Sequence, residues 1–474
     1  MTVRVSDAMK KPVLVVSGGS VILMAAVLSC GGGDSPAGAE PDAEQDAAKR
    51  GENDASPADA VATCDSCAAQ PDAGSSKPPC GSDPWLTYGH DPQRTSATDA
   101  CINGALTLTW KYLPSAPPAL PTRAVFHALA RRDGLFLQWS RQSDWGSQYE
   151  GDTAVDRVSM DGARVWTFET PTDTTYGNWA TVALGSLFTQ DDGMYVVDPA
   201  TGNQTHTTGV DWWGSPTFDA TRLYTVGTTN QPDCGGSGLF VGAFDEAMNP
   251  KWATNQNTAR PCGAMNDVLG GIALESGILF YAPKYMPVVS GSLKSGVYAF
   301  DGATGASRWS KPFISATRIS VGNGNVYLAG EAGAGLVALR QSDGSTAWSQ
   351  PAVNDNLIQA PLLAGGRVIV ANLTSGAQMI AAFDAVTGTP LWSKPITFSA
   401  VYQNRENLTF MAAALGSSTL VVTTSTGLSV LALDTGPTLW SGAIAGADAL
   451  HDPVLVGDRV YVAGGLTLYA LTSM

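Results

Sequence analysis

Four histidines and seven cysteines are the side chains of this 474-residue sequence best suited to chemistry. The histidines are His90, His127, His206 and His451. No two have metal-ligand spacing, and HExxH is absent. A GxSxG nucleophile elbow and a phosphate-binding P-loop are absent too. Cys64 and Cys67 form a CxxC, a spacing used in redox and zinc sites. Both uses need a packed site. The flanking residues are Ala, Asp, Pro, Gly and Ser, so a local disulfide is the expectation. Ala68 follows Cys67, which excludes the CxxCH haem-attachment motif.

The seventh cysteine, Cys30, has a different setting. Arg4, Lys10 and Lys11 give a basic start, and an apolar run from Val13 to Leu28 follows. This reads as a secretory signal rather than a membrane helix. Its end, Val27-Leu28-Ser29-Cys30, resembles a bacterial lipobox, in which the Cys is acylated and becomes the mature N-terminus. Leu28 departs from the pattern, since smaller residues are commoner there. The expectation is a signal peptide over 1–30 and a lipid anchor on Cys30. The chain would then sit in the cell envelope, at the outer membrane, with the face open.

The other six cysteines are an even number in an exported chain. The expected pairs are Cys64 with Cys67, Cys80 with Cys101, and Cys234 with Cys262. A loop closed between Cys234 and Cys262 contributes roughly 3 kcal/mol.

Residues 31–80 form an acidic linker. They are rich in Ala, Asp, Glu, Pro, Gly and Ser and hold almost no large apolar side chain. Such a segment cannot bury enough surface to offset its chain entropy. Much of the net charge of −15 lies here, where the only bases are Lys49, Arg50 and Lys77. No basic footprint remains for nucleic acid.

The folded part, 81–474, is ordered by a repeat. VYAFDGATGASRW (Val297 to Trp309) and IAAFDAVTGTPLW (Ile380 to Trp392) place Asp eight residues, and Gly four residues, before a Trp. MYVVDPATGNQTH repeats this at Asp198 and Gly202, with His206 in the Trp position. Looser copies pair Gly162 with Trp166, Gly344 with Trp348 and Gly436 with Trp440; VGAFDEAMNPKW keeps Asp245 and Trp252 without the Gly. Units recur at intervals of about 40 to 57 residues, the mark of a propeller or solenoid. The apolar run alternates as a strand, Asp and Gly make the turn, and the Trp opens the next strand. Each Trp is expected to pack between blades, because no single ligand could use all of them around a ring.

This pattern resembles the PQQ-like (pyrroloquinoline-quinone repeat) β-propeller over roughly residues 83–471. The segment WLTYGHDPQRTS (Trp85 to Ser96) looks like the lead-in of many such propellers. The family holds quinoprotein dehydrogenases, the lipoprotein of the outer-membrane β-barrel assembly machinery, and non-catalytic surface propellers. Its dehydrogenases usually carry an adjacent Cys-Cys pair under the quinone, and no two cysteines here are adjacent.

Unit ends fall at Trp166, His206, Trp252, Trp309, Trp348, Trp392 and Trp440. An eighth unit would join RVYVAGGLTLYALTSM to the strand ALTLTWKY near Trp110, closing the ring. The expectation is all-β with eight blades; seven is the alternative, because Arg123 to Phe168 is irregular. The approaches to the innermost strands read as Arg123, Trp179, Trp213, Asp267, Arg318, Gln359, Asn407 and His451. They are the candidate binding residues of the channel mouth. Tyr281 to Ser295 and Trp139 to Gly151 read as long loops and form a second candidate surface. The chain is expected to be a monomeric, non-catalytic binding scaffold without cofactor or metal, with an envelope protein as partner. Outer-membrane protein assembly follows by analogy. The rival is a periplasmic quinoprotein dehydrogenase using PQQ with calcium.

Overall fold

Asp301 and Gly305 show how each unit turns. The Asp301 carboxylate accepts the amides of Ala303 at 3.1 Å and Thr304 at 3.0 Å, while the Gly305 amide reaches back to the Asp301 carbonyl at 2.7 Å. Gly305 sits at φ +73°, where a side chain is strained. The turn returns the chain in register, so Ala299 stands opposite Trp309. Asp384 and Gly388 repeat the arrangement. Asn323 and Gly324 (φ +53° and +74°) make a two-residue hairpin, with Gly322 opposite Asn325.

The structure, a computed structural model, describes residues 80–81, 83–114, 123–141, 153–170, 180–190, 193–208, 211–231, 236–255, 271–282, 296–313, 315, 317–330, 334–351, 353, 359–374, 377–398, 410–425, 427–447, 450–465 and 467–474. The signal and linker expected before Cys80 lie outside them. So do Cys64, Cys67, Cys234 and Cys262.

Eight sheets follow one another along the chain. Their innermost strands are Arg123–Arg131, Thr181–Ala183, Asp211–Phe218, Gly271–Glu275, Ser320–Gly322, Leu362–Ala364, Met411–Ala414 and Leu450–Val456, and these define blades 1 to 8 in order. In blades 1 to 7 four strands run consecutively outward, and in blade 7 Ala97–Thr98 of the lead-in segment adds a fifth, parallel strand inside Met411–Ala414. Blade 8 takes its outer strand from near the start: Leu106–Tyr112 pairs antiparallel with Thr467–Ser473. The innermost strands of blades 1 and 8 are in contact, so the ring closes. The fold is thus an eight-bladed propeller, and the irregular stretch after Arg123 is a complete blade. The expected loops begin later than read: Trp139 and Tyr281 belong to strands Gly134–Arg141 and Ile278–Ala282 and are buried.

The repeated Trp packs between blades as expected. In a typical case, a Cβ built on Gly388 would lie 2.6 Å from the Trp348 ring of the preceding blade. Gly162, Gly202, Gly305, Gly344 and Gly436 take Trp110, Trp166, Trp252, Trp309 and Trp392 in the same way. The indole N–H of Trp348 donates to the Ala385 carbonyl at 3.0 Å, and Trp309 and Trp392 make the equivalent bond. Blade 2 offers His206 instead of Trp, and its neighbour, blade 3, lacks the Gly; Met248 takes the left-handed position there (φ +62°). The two departures from the repeat fall at the same seam, between blades 2 and 3.

Candidate functional site

The lead-in segment does more than precede the ring. From Trp85 to Cys101 it makes one lap around the axis, bonding to the blades in order. Trp85 exchanges two 2.8 Å backbone bonds with Ala130 of blade 1, and the Leu86 carbonyl accepts the Val182 amide of blade 2. The Thr87 hydroxyl donates to the Pro216 carbonyl of blade 3 at 3.0 Å. The carbonyls of Pro92, Gln93, Thr95 and Ser96 accept the amides of Leu274, Val321, Leu363 and Ala413, in blades 4 to 7, at 2.8–2.9 Å. The Cys101 amide donates to Gly457 of blade 8 at 2.8 Å. The expected Cys80–Cys101 disulfide is present and ties the ends of the lap.

Arg94 is the centre of this segment. Its buried guanidinium donates to the carbonyls of Ile272, Tyr88, Ser215 and Pro216 and to the Thr87 hydroxyl, at 2.6–3.0 Å. Burial, and then the like charge of Arg318, pull its pKa down. The five bonds to oxygen are what hold the charge there. His90, Arg94 and Ser96 all have left-handed backbone (φ +78°, +64° and +55°). Each costs about 1–2 kcal/mol, which the lap's bonds must exceed.

Of the eight candidate mouth residues, the structure describes the side chains of Arg318, Gln359 and His451, and all three are buried. The Arg318 guanidinium lies over the Tyr88 ring, 4.7 Å from its centroid. The Gln359 side-chain oxygen accepts the Phe410 amide at 2.6 Å, joining blades 6 and 7. His451 Nδ1 stands 3.4 Å, and His127 Nδ1 2.8 Å, from Asp452 Oδ2. Burial works against the Asp452 charge, but the two imidazoles outweigh it and hold the carboxyl below its usual range. Arg123 and Trp213 lie on innermost strands, with only their backbone described. Trp179, Asp267 and Asn407 lie outside the described residues, as do most of the two expected long loops.

The voids beside Tyr88, one against His127 and Asp452 and one against Arg94 and Arg318, measure about 10 Å³ each. That is room for about one water. Neither of these two voids is large enough for a tricyclic quinone. Among the described residues, no group of three or more His, Cys, Asp or Glu is arranged to hold a metal.

The larger opening is elsewhere. A cleft of about 860 Å³ lies at the inner turns of blades 1 to 3, against the lead-in segment. Leu86, Pro92, Leu184 and Phe218 give it apolar walls, and Arg131, Arg132, Asp133 and Asp219 stand among them. The sequence reading missed both features. The lap has neither strand alternation nor helical period, and the cleft joins residues about 130 positions apart.

Fold and closure define an eight-bladed β-propeller whose repeat resembles the PQQ-like one. Residues 293–473 match the family profile described as outer membrane protein assembly factor BamB, and the chain resembles that protein. Among solved structures, the chain is similar to the quinohemoprotein alcohol dehydrogenase of Comamonas testosteroni (TM-score 0.58, 13% identity, 82% of this chain and 80% of that one). It is similar to a europium-containing methanol dehydrogenase (0.58, 12%, 84% and 99%). BamB of Moraxella catarrhalis aligns at TM-score 0.49 and 14% identity, over 78% of this chain and 100% of that one. At these identities the likeness is one of fold. No curated protein matches the chain in sequence.

Proposed function

We propose that this chain is a non-catalytic propeller of the cell envelope that acts as a binding scaffold. In this reading residues 1–30 direct export, Cys30 carries the lipid, and 31–80 tether the propeller. The observation that carries the proposal is the lap. The chain's own segment bonds to every blade, and the two described voids beside Tyr88 measure about 10 Å³ each. A propeller closed on itself in this way offers its faces and rims rather than a deep chamber. The match of residues 293–473 to a profile described as an outer-membrane assembly factor supports a role among envelope proteins.

The rival is a quinoprotein dehydrogenase, a class with the same fold. Such an enzyme must hold its quinone and tune it with protein groups. The test is to add PQQ and Ca²⁺ to the purified chain. We expect no retained quinone absorbance and no dye-linked oxidation of alcohols or aldose sugars. Stoichiometric uptake with substrate-dependent dye reduction would overturn the scaffold reading.

A further inference from the structure

The Cys80–Cys101 disulfide joins two ends that are held very differently. Cys101 is buried, and so are its neighbours Ala100 and Ile102. Its amide bonds to Gly457 of blade 8. The Ile102 amide donates to the Ser417 hydroxyl of blade 7, and the Ile102 carbonyl accepts the Thr419 hydroxyl, both at 2.7 Å. A turn of blade 7 closes over the sulfur: a Cβ built on Gly416 would lie 2.8 Å from Cys101 Sγ. Cys80, by contrast, is exposed. The amides of Gly81 and Asp83 bond to Asp99, within the lap itself, at 3.2 and 3.0 Å. Trp85 and Leu86 then meet blades 1 and 2 through three backbone bonds. The next strong hold is Arg94, which grips the Thr87 hydroxyl and the Tyr88 carbonyl. Residues 80–86 are thus an arm lightly bonded to the ring, and the disulfide clasps its outer end to a fixed point on blades 7 and 8.

We propose that this disulfide is a redox latch on the arm 80–86. The thiolate of a dithiol reductant attacks the exposed Cys80 sulfur, forms a mixed disulfide there and expels the Cys101 thiolate, which takes up a proton. The second thiol of the reductant then attacks its own bonded sulfur and leaves as a cyclic disulfide, and Cys80 departs as a thiol. Two electrons pass from the reductant to the protein, and a disulfide oxidant reverses the step. In an oxidising compartment the latch stays closed until a dithiol is supplied. Opening it loosens the arm up to the grip of Arg94. The ring keeps its blades, because the bonds from Pro92 onward to blades 4 to 8 do not pass through the arm. The arm also supplies Pro84 and Leu86 to the wall of the cleft at blades 1 to 3, so the latch sets the shape of that opening. The inference does not depend on the scaffold reading.

The test is hydrogen–deuterium exchange of the full chain, wild type and Cys80→Ser. The substitution opens the latch at an exposed position and leaves Cys101 in place. The amides of Trp85 and Ala130, which bond across the arm, should exchange about a hundredfold faster in the variant. Those of Leu274, Val321 and Leu363, held by the later part of the lap, should not change. Wild type treated with dithiothreitol should match the variant at Trp85 and Ala130, and oxidised dithiothreitol should restore their protection. Cys80→Ser should respond to neither reagent at those amides, which separates this disulfide from any other in the chain. Unchanged exchange of the arm in Cys80→Ser would make the disulfide a passive link and overturn the proposal. Loss of protection throughout the ring would overturn it too, since the disulfide would then staple the whole fold. So would failure of reoxidation to restore the arm.

Discussion

His90 carries a charge that the sequence would not assign to it. Burial alone would lower its pKa, but ion pairs with Asp83 and Asp91 at 3.3 Å raise it to about 9. A raised histidine contributes stability that is fully present below its unfolded pKa, near 6.5. That contribution is lost as pH rises through about 9. Asp83 is half exposed, so we expect a loss of only about 1–3 kcal/mol across that window. Chemical denaturation of wild type and His90→Gln at pH 6.5 and 9.5 checks this; the variant should lack the difference. Arg94 is the second test at this scale. Arg94→Met removes the guanidinium donor from the buried carbonyls of Ile272 and Ser215. We expect a loss of about 3 kcal/mol or more, read from denaturation midpoints. Neither role could be read from sequence, because each depends on groups brought together by the lap. Ser215 is 121 residues from Arg94.

Blades were the legible element. Alternation over Val297–Phe300 and Ile380–Phe383, the Asp–Gly turn and the following Trp locate strands and turns without tertiary information. The reason is physical: the turn bonds are local, spanning two to four residues. The same geometry makes a prediction. Gly388→Ala places a methyl group 2.6 Å from the Trp348 ring at φ +72°, and should cost about 1–3 kcal/mol. Gly185 has a similar φ of +85° with nothing within 4 Å. Gly185→Ala therefore meets only the backbone penalty, about 1 kcal/mol. Thermal melts of the two variants separate packing from backbone strain; equal losses would mean that the indole does not press on the turn. The seam of blades 2 and 3 was half legible. His206 and the missing Gly are plain in the sequence, but only the ring puts them at one seam.

At the scale of the whole molecule, the two ends of the propeller hold each other. Blade 8 is completed by the pairing of Leu106–Tyr112 with Thr467–Ser473. Deleting residues 466–474 bares two strand edges and an apolar face. We expect loss of a cooperative melt rather than fraying of one end. Cys30→Ser tests the proposed anchor: it should release the chain from the membrane pellet to the soluble fraction, since firm attachment needs more than one lipid chain. The central claim is that residues 85–101 form the axis of the ring and bond to all eight blades. Hydrogen–deuterium exchange of peptides covering that segment tests it most directly. Amides bonded within a closed core open only with global or near-global unfolding. The account predicts protection at Trp85 and Cys101 comparable to that of Leu274, Val321 and Leu363, whose amides the lap accepts. Exchange of the segment within seconds, beside protected blades, would contradict it.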